Sequence, residues 1–471
     1  MSTFLVIVTK YLFILLMFFY VWECFSALRC KNPYKASGIF QRQNGIIFLT
    51  YFLGITTIFL NQQDTTDIGV IVLGGAQLCY LIVVLGIFPI IYPNINKAIL
   101  SNMCMLLTIG FIMLARLKFQ YSIRQFIIVA VVSMASLIVP YLMSRYEMWK
   151  SFTWIYAFVG IGLLACVLVL GNVDNGAKLA INIGGFAFQP SEFVKIIFVF
   201  FIAGLLSRSV AFKNVVVSAV MAGIYVLVLV ASRDLGSALI FFMVYVFMLY
   251  VGTAKARYIF ICFAGLSVAS VLAYQIFSHV QVRVSVWLDP WSDIANTGYQ
   301  ITQSLFALGS GGLTGTGLYH GQPKDIPVVD QDFIFSAIGE EFGAIFAILL
   351  ILLCLTCFIA FLNTAMQQIS MFNKLVCVGL GIQYAVQIIV TVGGAIKMIP
   401  STGVTFPLLS YGGSSILSTL IVFAIIQGLA IVGTTKHPVK RKVPQKGAKH
   451  VKERNTQEIR KIEDTQEIRI R

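Results

Sequence analysis

This sequence predicts an all-α polytopic integral membrane protein of about thirteen transmembrane helices, and three observations carry that prediction. Of its 471 residues 58% are hydrophobic and only 11% are charged, against about 25% charged in an ordinary soluble domain. Apolar runs of about 20 residues recur from end to end, each long enough to cross a bilayer. The basic residues concentrate in alternate connecting loops, the bias that sets orientation in a membrane.

The spans lie near 4–28, 45–61, 68–92, 98–115, 125–144, 152–172, 191–207, 215–231, 236–252, 257–278, 332–362, 375–395 and 412–433. The first is too long for a signal-peptide core and lacks a small-residue cleavage site, so it counts as a span. Loop 29–44 carries Arg29, Lys31, Lys35 and Arg42, while the next loop carries Asp64 and Asp67 and no base. Alternation from there places the N-terminus outside and the C-terminal tail in the cytoplasm, with most of the 34 Lys and Arg residues on the cytoplasmic side. The net charge of +15 therefore reads as topology, and no nucleic-acid partner is expected.

Three blocks follow: 1–97 with three spans, 98–433 with ten, and a polar basic tail at 434–471. The tail repeats Thr-Gln-Glu-Ile-Arg at 456–460 and 465–469, and its bases suit anionic membrane lipids. The cysteines read as small apolar core residues. Even Cys354-Leu-Thr-Cys357 sits mid-span with no second pair nearby. The four histidines are scattered, which gives no zinc pattern, and there is no phosphate-binding Gly-x-x-x-x-Gly-Lys motif.

The segment from Ile399 to Ser415 separates two apolar spans yet holds two prolines, three glycines and a cluster of hydroxyls. Irregular backbone at membrane depth survives only where protein or a wet cavity satisfies its polar groups. Pro400, Thr402, Ser410, Tyr411, Gly412, Gly413 and Ser414 are its candidate ligand contacts, with Lys397 just before them. A second unusual region is 279–331, with Trp287-Leu-Asp-Pro-Trp-Ser-Asp293, Gly298-Tyr-Gln-Ile-Thr-Gln-Ser304 and Gly309-Ser-Gly-Gly-Leu-Thr-Gly-Thr-Gly317. Long loops in compact proteins carry function or are disordered. This one reads as an ordered, partly re-entrant loop over a cavity, with Tyr299, Gln300, Gln303 and Ser304 as candidate contacts.

Ionisable groups in or beside a membrane bundle are functional candidates by default. In Gln189-Pro-Ser191-Glu192-Phe-Val-Lys195 the helix starts at Pro190, and Glu192 and Lys195 share one face at i, i+3 spacing. They are either a charge-neutral helix cap or a working pair. Asp293 competes with Asp289, whose place before Pro290 suits a turn. Asp234 opens a span beside Arg233 and is either an ion-pair partner or a contact. Asp332 caps another span, with Glu340 about two turns deeper.

These motifs, in this order, resemble the SEDS family (shape, elongation, division and sporulation; FtsW, RodA and SpoVE are members). The resemblance covers about 98–433. It rests on Phe-Gln-Pro-Ser-Glu at 188–192, Asp234-Leu-Gly, Asp293 shortly before Gly-Tyr-Gln, Asp332 to Gly343, and the Pro400 to Ser415 segment. Ser232-Arg233 stands where the family commonly has Gln-Pro, and Asp330-Gln331 where it usually has His-Thr. The resemblance implies a ten-helix core preceded here by three extra helices. It also implies a glycosyltransferase that polymerises lipid II, the polyprenyl-pyrophosphate-linked disaccharide-peptide, at the outer face of a bacterial cytoplasmic membrane, for elongation, division or sporulation. Asp293 is then the general base, with Glu192 and Lys195 beside it. A class B penicillin-binding protein transpeptidase is the implied partner. No tightly bound cofactor is expected, although a divalent cation such as Mg2+ or Mn2+ can serve beside a lysine to balance charge on the leaving pyrophosphate. The rival classes are a transporter that flips the lipid-linked precursor and a scaffold that only recruits a transpeptidase.

Overall fold

The computed structural model describes residues 3–30, 32–61, 67–145, 148–174, 177–183 and 186–436. The tail repeats and most of the acidic loop around Asp64 lie outside the described residues. The helices are α1 (Thr3–Arg29), α2 (Pro33–Asn61), α3 (Asp67–Ile91), α4 (Lys97–Leu117), α5 (Phe119–Ser136), α6 (Ile138–Arg145), α7 (Thr153–Leu170), α8 (Pro190–Arg208), α9 (Phe212–Ala231) and α10 (Leu235–Thr253). They continue as α11 (Arg257–Ile276), α12 (Ser278–Leu288), α13 (Tyr299–Gly311), α14 (Ile334–Met366), α15 (Met371–Ala395) and α16 (Gly413–Lys436). Among the described residues 13 segments are long and apolar enough to span a membrane, with α5 and α6 forming one of them. Each expected span falls on one of these segments. The chain is therefore a multi-pass helical membrane protein, as the apolar runs require.

Between α7 and α8 the connection folds into a small antiparallel sheet, β1 (Asn172–Asp174), β2 (Ala177–Ile183) and β3 (Phe186–Phe188), in the order β1-β2-β3. The expected spans leave 173–190 between them as a plain connection.

Helix α4 is the hub. Asn96 caps it, its side chain accepting from the amides of Ala98 and Ile99, and every residue from Ile99 to Leu117 is buried. The three N-terminal helices pack onto this hub and onto α14. Phe13 meets Phe342 edge-on, with ring centroids 4.9 Å apart. Tyr20 donates to Asn102 Oδ1 at 3.2 Å, and Asn102 Nδ2 donates to Thr356 Oγ1 at 3.1 Å. Interhelical hydrogen bonds of this kind hold helices together where lipid offers no hydrophobic drive. By contrast, α11 has no buried residue and lies at the edge of the bundle, where Phe263 meets Phe242 of α10 edge-on with ring centroids 6.1 Å apart.

Helix α14 is broken at Gly343 (φ 87°, ψ 169°), where the sequence suggested an unbroken span. The glycine segment after α13 enters the break. The amides of Ala344 and Ile345, four residues beyond Glu340 and Glu341, bond instead to Gly312 O at 2.9 Å and Leu313 O at 3.1 Å. The carbonyls they leave accept from Thr316 N and Gly317 N, each at 2.9 Å. The four groups freed from two helical bonds are thus satisfied by four bonds to the inserted segment, which is what backbone at membrane depth demands. A Cβ on Gly343 would lie 2.3 Å from Gly315 N, so the approach needs glycine.

Candidate functional site

A cavity of about 620 Å³ is walled by α8, α10, α12, α13 and the irregular 399–405 segment. Glu192 lies in the first turn of α8 and Lys195 one turn on, and both face it. Lys195 Nζ is 2.7 Å from Glu192 Oε1 and 3.4 Å from Gln387 Oε1, and Ser418 donates to Glu192 Oε2 at 2.9 Å. The pair is buried and fully partnered, the condition under which buried charges are tolerated.

Beside it, Asp234 caps α10, accepting from Ser237 N at 3.0 Å and from Ser191 Oγ at 3.3 Å. Gln189 Nε2 donates to Ser191 Oγ at 3.2 Å, and Gln189 N donates to Ser414 Oγ at 3.0 Å. Gln189, Asp234, Gln300, Asp332 and Thr402 all line the cavity. Burial pushes the Asp332 carboxyl up to about 6, against the pull of Arg283.

Arg283 on α12 went unmarked in the sequence. It lines the cavity, and its Nη1 is buried without a hydrogen-bond partner. Burial pulls the guanidinium below its usual range, while Asp234 and Asp332 hold it up. A desolvated cation with an unused donor in a polar cavity is an anion site. The signal was present, since Arg283 is the one Lys or Arg between Arg257 and Lys324. Arg233, Trp287 and Gln331 also line the wall without having been singled out as contacts.

Asp293 lies just outside the wall. Its Oδ2 accepts from Thr297 N at 3.1 Å and Thr297 Oγ1 at 2.9 Å, its Oδ1 from Asn296 Nδ2 at 2.9 Å, and Thr297 is itself a wall residue. The Thr297 amide, then the Asn296 and Thr297 side chains, hold the carboxyl below its usual range. Asp289 accepts from Trp291 N at 3.1 Å and caps a short 3₁₀ turn, the turn role expected of it.

The 399–405 segment has its carbonyls satisfied from α15: Gln387 Nε2 donates to Thr405 O at 3.0 Å and Thr391 Oγ1 to Val404 O at 3.0 Å. Behind it, Ser410 Oγ accepts from Phe406 N and donates to Gln331 O. Tyr411 stacks on Tyr121 at 4.1 Å, the Gly412 amide donates to Gln125 Oε1, and Gly413 opens α16. These residues brace the cavity rather than line it. Ser304 likewise bonds Ser336 Oγ and Ala395 O, and Tyr299 and Gln303 are off the wall. Lys397 Nζ donates to Leu288 O at 3.3 Å and Lys397 O accepts from Trp287 Nε1, tying α12 down. Glu340 is also outside the cavity, and its Oε1 accepts from Gln322 N at 2.8 Å.

An apolar groove of about 670 Å³ runs between α9, α10 and α11, past Pro400. It shares Arg283, Ile399, Ser401 and Thr402 with the polar cavity. The polar cavity and the apolar groove therefore meet at the Arg283 guanidinium. Among the described residues no three His, Cys, Asp or Glu side chains converge. That donor set does not fit a divalent cation held by the protein alone.

The model of the FtsW/RodA/SpoVE family, described as cell cycle proteins, matches residues 96–433, which leaves α1 to α3 outside it. The peptidoglycan glycosyltransferase RodA of Mycobacterium tuberculosis is 35% identical over 313 residues, 62% of this chain and 66% of the relative. The chain thus spans just under two thirds of that relative's length. Stage V sporulation protein E of Bacillus subtilis is 33% identical over 350 residues, 68% of this chain and 92% of the relative. The probable peptidoglycan glycosyltransferase FtsW of Tolumonas auensis is 36% identical over 292 residues, 59% and 76% of the two chains. A chain from a solved peptidoglycan synthase complex that coordinates polymerisation and crosslinking superposes with a TM-score of 0.61 at 22% identity, covering 73% of this chain and 99% of that one. The rod shape determining protein RodA of Thermus thermophilus gives 0.55 at 23%, covering 71% and 96%. These two likenesses share the fold. By the extent of the family match and the length of the sporulation relative covered, this chain belongs to the FtsW/RodA/SpoVE family of cell cycle proteins.

Proposed function

We propose that this protein polymerises lipid II into glycan strands at the outer face of a bacterial cytoplasmic membrane. The observation that carries the reading is the junction of polar cavity and apolar groove at Arg283. A substrate suited to both halves is an anionic head on a long apolar tail, which describes a polyprenyl pyrophosphate.

The acceptor hydroxyl attacks the anomeric carbon of the donor sugar. A new glycosidic C–O bond forms, the C–O bond to pyrophosphate breaks, and polyprenyl pyrophosphate departs. The hydroxyl proton passes to Asp293, which its Thr297 and Asn296 donors keep ionised and therefore ready as a base. Arg283, with its free donor, balances charge growing on the leaving pyrophosphate. Lys195 adds positive potential from the cavity wall while Glu192 holds its ammonium in place. The bilayer holds both lipid tails and restricts their approach, which lowers the entropic part of the barrier. The substrate arrives activated, so no nucleotide enters.

The N-terminus lies outside and the tail in the cytoplasm, following the basic residues Arg29, Lys31, Lys35 and Arg42. A class B transpeptidase is the partner that would crosslink the emerging strand. The role assigned to the solved synthase complex supports this by likeness of fold. The test is purified protein in proteoliposomes with lipid II. Glycan polymer on a gel supports the reading. Transbilayer movement of the lipid with no polymer would favour the transporter.

A further inference from the structure

The three N-terminal helices lie outside the family match, and α1 touches the core where the outer loop re-enters it. Lys10 Nζ donates to Gly315 O at 3.0 Å. Among the described residues Lys10 is in no ion pair, so this carbonyl is its one direct polar contact with the core. One turn earlier, Val6 is buried against Gly317 (φ +100°), where a Cβ would come within 2.6 Å of Val6 Cγ1. One turn later, Phe13 packs on Phe342 beside the break in α14. Three successive turns of one helix thus close over the inserted segment and over the helix it breaks.

The clamped segment is joined directly to the cavity on both sides. Upstream is α13, a rigid rod of 13 residues whose far end carries Gln300 and the Asp293–Thr297 turn. Its middle is pinned by Ser304 to Ser336 and Ala395. Downstream, Tyr319 N and Gln322 N are held by Glu341 and Glu340, and the chain then runs to Gln331, Asp332 and Phe333 in the cavity wall. A segment that leaves the α14 break releases both runs together.

We propose that the N-terminal extension is a built-in positioning element for the site, with Lys10 and Val6 of α1 clamping the re-entrant Gly312–Gly317 segment and so fixing α13 and the 318–333 run that frame the cavity. The effect on turnover rests on the polymerase reading, whereas the clamp itself does not. Lys10 and Val6 are positioning residues, since neither lines the cavity.

The experiment uses full-length protein in proteoliposomes, comparing Lys10→Met, Val6→Ala and the rescue variant Lys10→Arg with the wild type. Amide hydrogen exchange over 312–322 reads the clamp, and lipid II polymerisation reads kcat and KM separately. A hydrogen bond from a charged group sets the expected scale, so Lys10→Met should speed exchange of Gly315 to Gly317 about tenfold or more. It should lower kcat about tenfold with KM little changed, and Lys10→Arg, which keeps a cationic donor, should restore both. Unchanged exchange in Lys10→Met and Val6→Ala would overturn the clamp. Faster exchange with kcat unchanged would overturn its positioning role. A wild type that makes no polymer, with exchange still faster in the variants, would sink the polymerase reading and leave the clamp standing.

Discussion

Lys195 Nζ lies 2.7 Å from Glu192 Oε1 in a buried pair that also faces the cavity. This resolves the geometry but leaves two roles to separate by experiment. Removing one partner strands the other charge and should cost about 3–5 kcal/mol of stability. The double variant Glu192→Gln with Lys195→Met strands neither and should unfold near the wild-type temperature. If the pair serves pyrophosphate, the double variant stays nearly inactive although folded. Wild-type polymerisation by it would reduce the pair to a helix cap.

Arg283 should matter more to the reaction than to the fold, because its Nη1 has no hydrogen-bond partner within the protein. Arg283→Gln should lower kcat about 10²–10³-fold, the scale for removing one stabiliser of developing charge. Thermal unfolding should change little. A large loss of stability with a near-normal rate in the remaining folded protein would make the residue a packing element.

Asp332 predicts a pH dependence. Its carboxyl is ionised above about 6 and neutral below. Protonation removes the negative charge that competes with ligand for Arg283, so pyrophosphate should bind more tightly as pH falls through about 6. Asp332→Asn should bind at neutral pH as the wild type does below that value and should lack this limb. The sign for folding agrees with a raised acid: this group's stabilising contribution is full below its ordinary 3.8 and is lost as pH rises through about 6. Identical pH profiles of pyrophosphate binding in the two proteins would contradict the assignment.

The spans were legible because apolar length reports directly on bilayer thickness, and Asp289 was legible because an acid before proline is a local turn signal. Polarity beside apolar spans singled out Lys397, Glu340 and Ser304, and the structure sets all three off the cavity wall. Their partners are carbonyls and amides of distant segments, Leu288, Gln322 and Ala395, which no local spacing reveals. Arg283 escaped because one base in an 11-residue helix of mixed polarity looks interfacial. The break in α14 depends on a segment about thirty residues upstream, so Gly343 alone could not announce it.

That break gives its own prediction. Gly343→Ala adds a Cβ within 2.3 Å of Gly315 N at a backbone angle that alanine resists. It should cost about 1–3 kcal/mol from strain alone and should expel the glycine segment. A cysteine placed at Thr316, whose amide and hydroxyl both bond to Glu340 O in the inserted state, should then react faster with a water-soluble maleimide than it does in the Gly343 background. Unchanged reactivity would mean that the insertion tolerates a side chain.

The most direct test of the central claim is lipid II polymerisation by purified Asp293→Ala beside the wild type and Asp289→Ala. The wild type should make glycan strands, and Asp289→Ala should make them at a reduced rate. Asp293→Ala should lose about 10²–10⁴-fold, the range for a general base, with the same thermal unfolding and the same affinity for lipid II. Full polymerisation by Asp293→Ala, with Asp289→Ala inactive and folded, would contradict it.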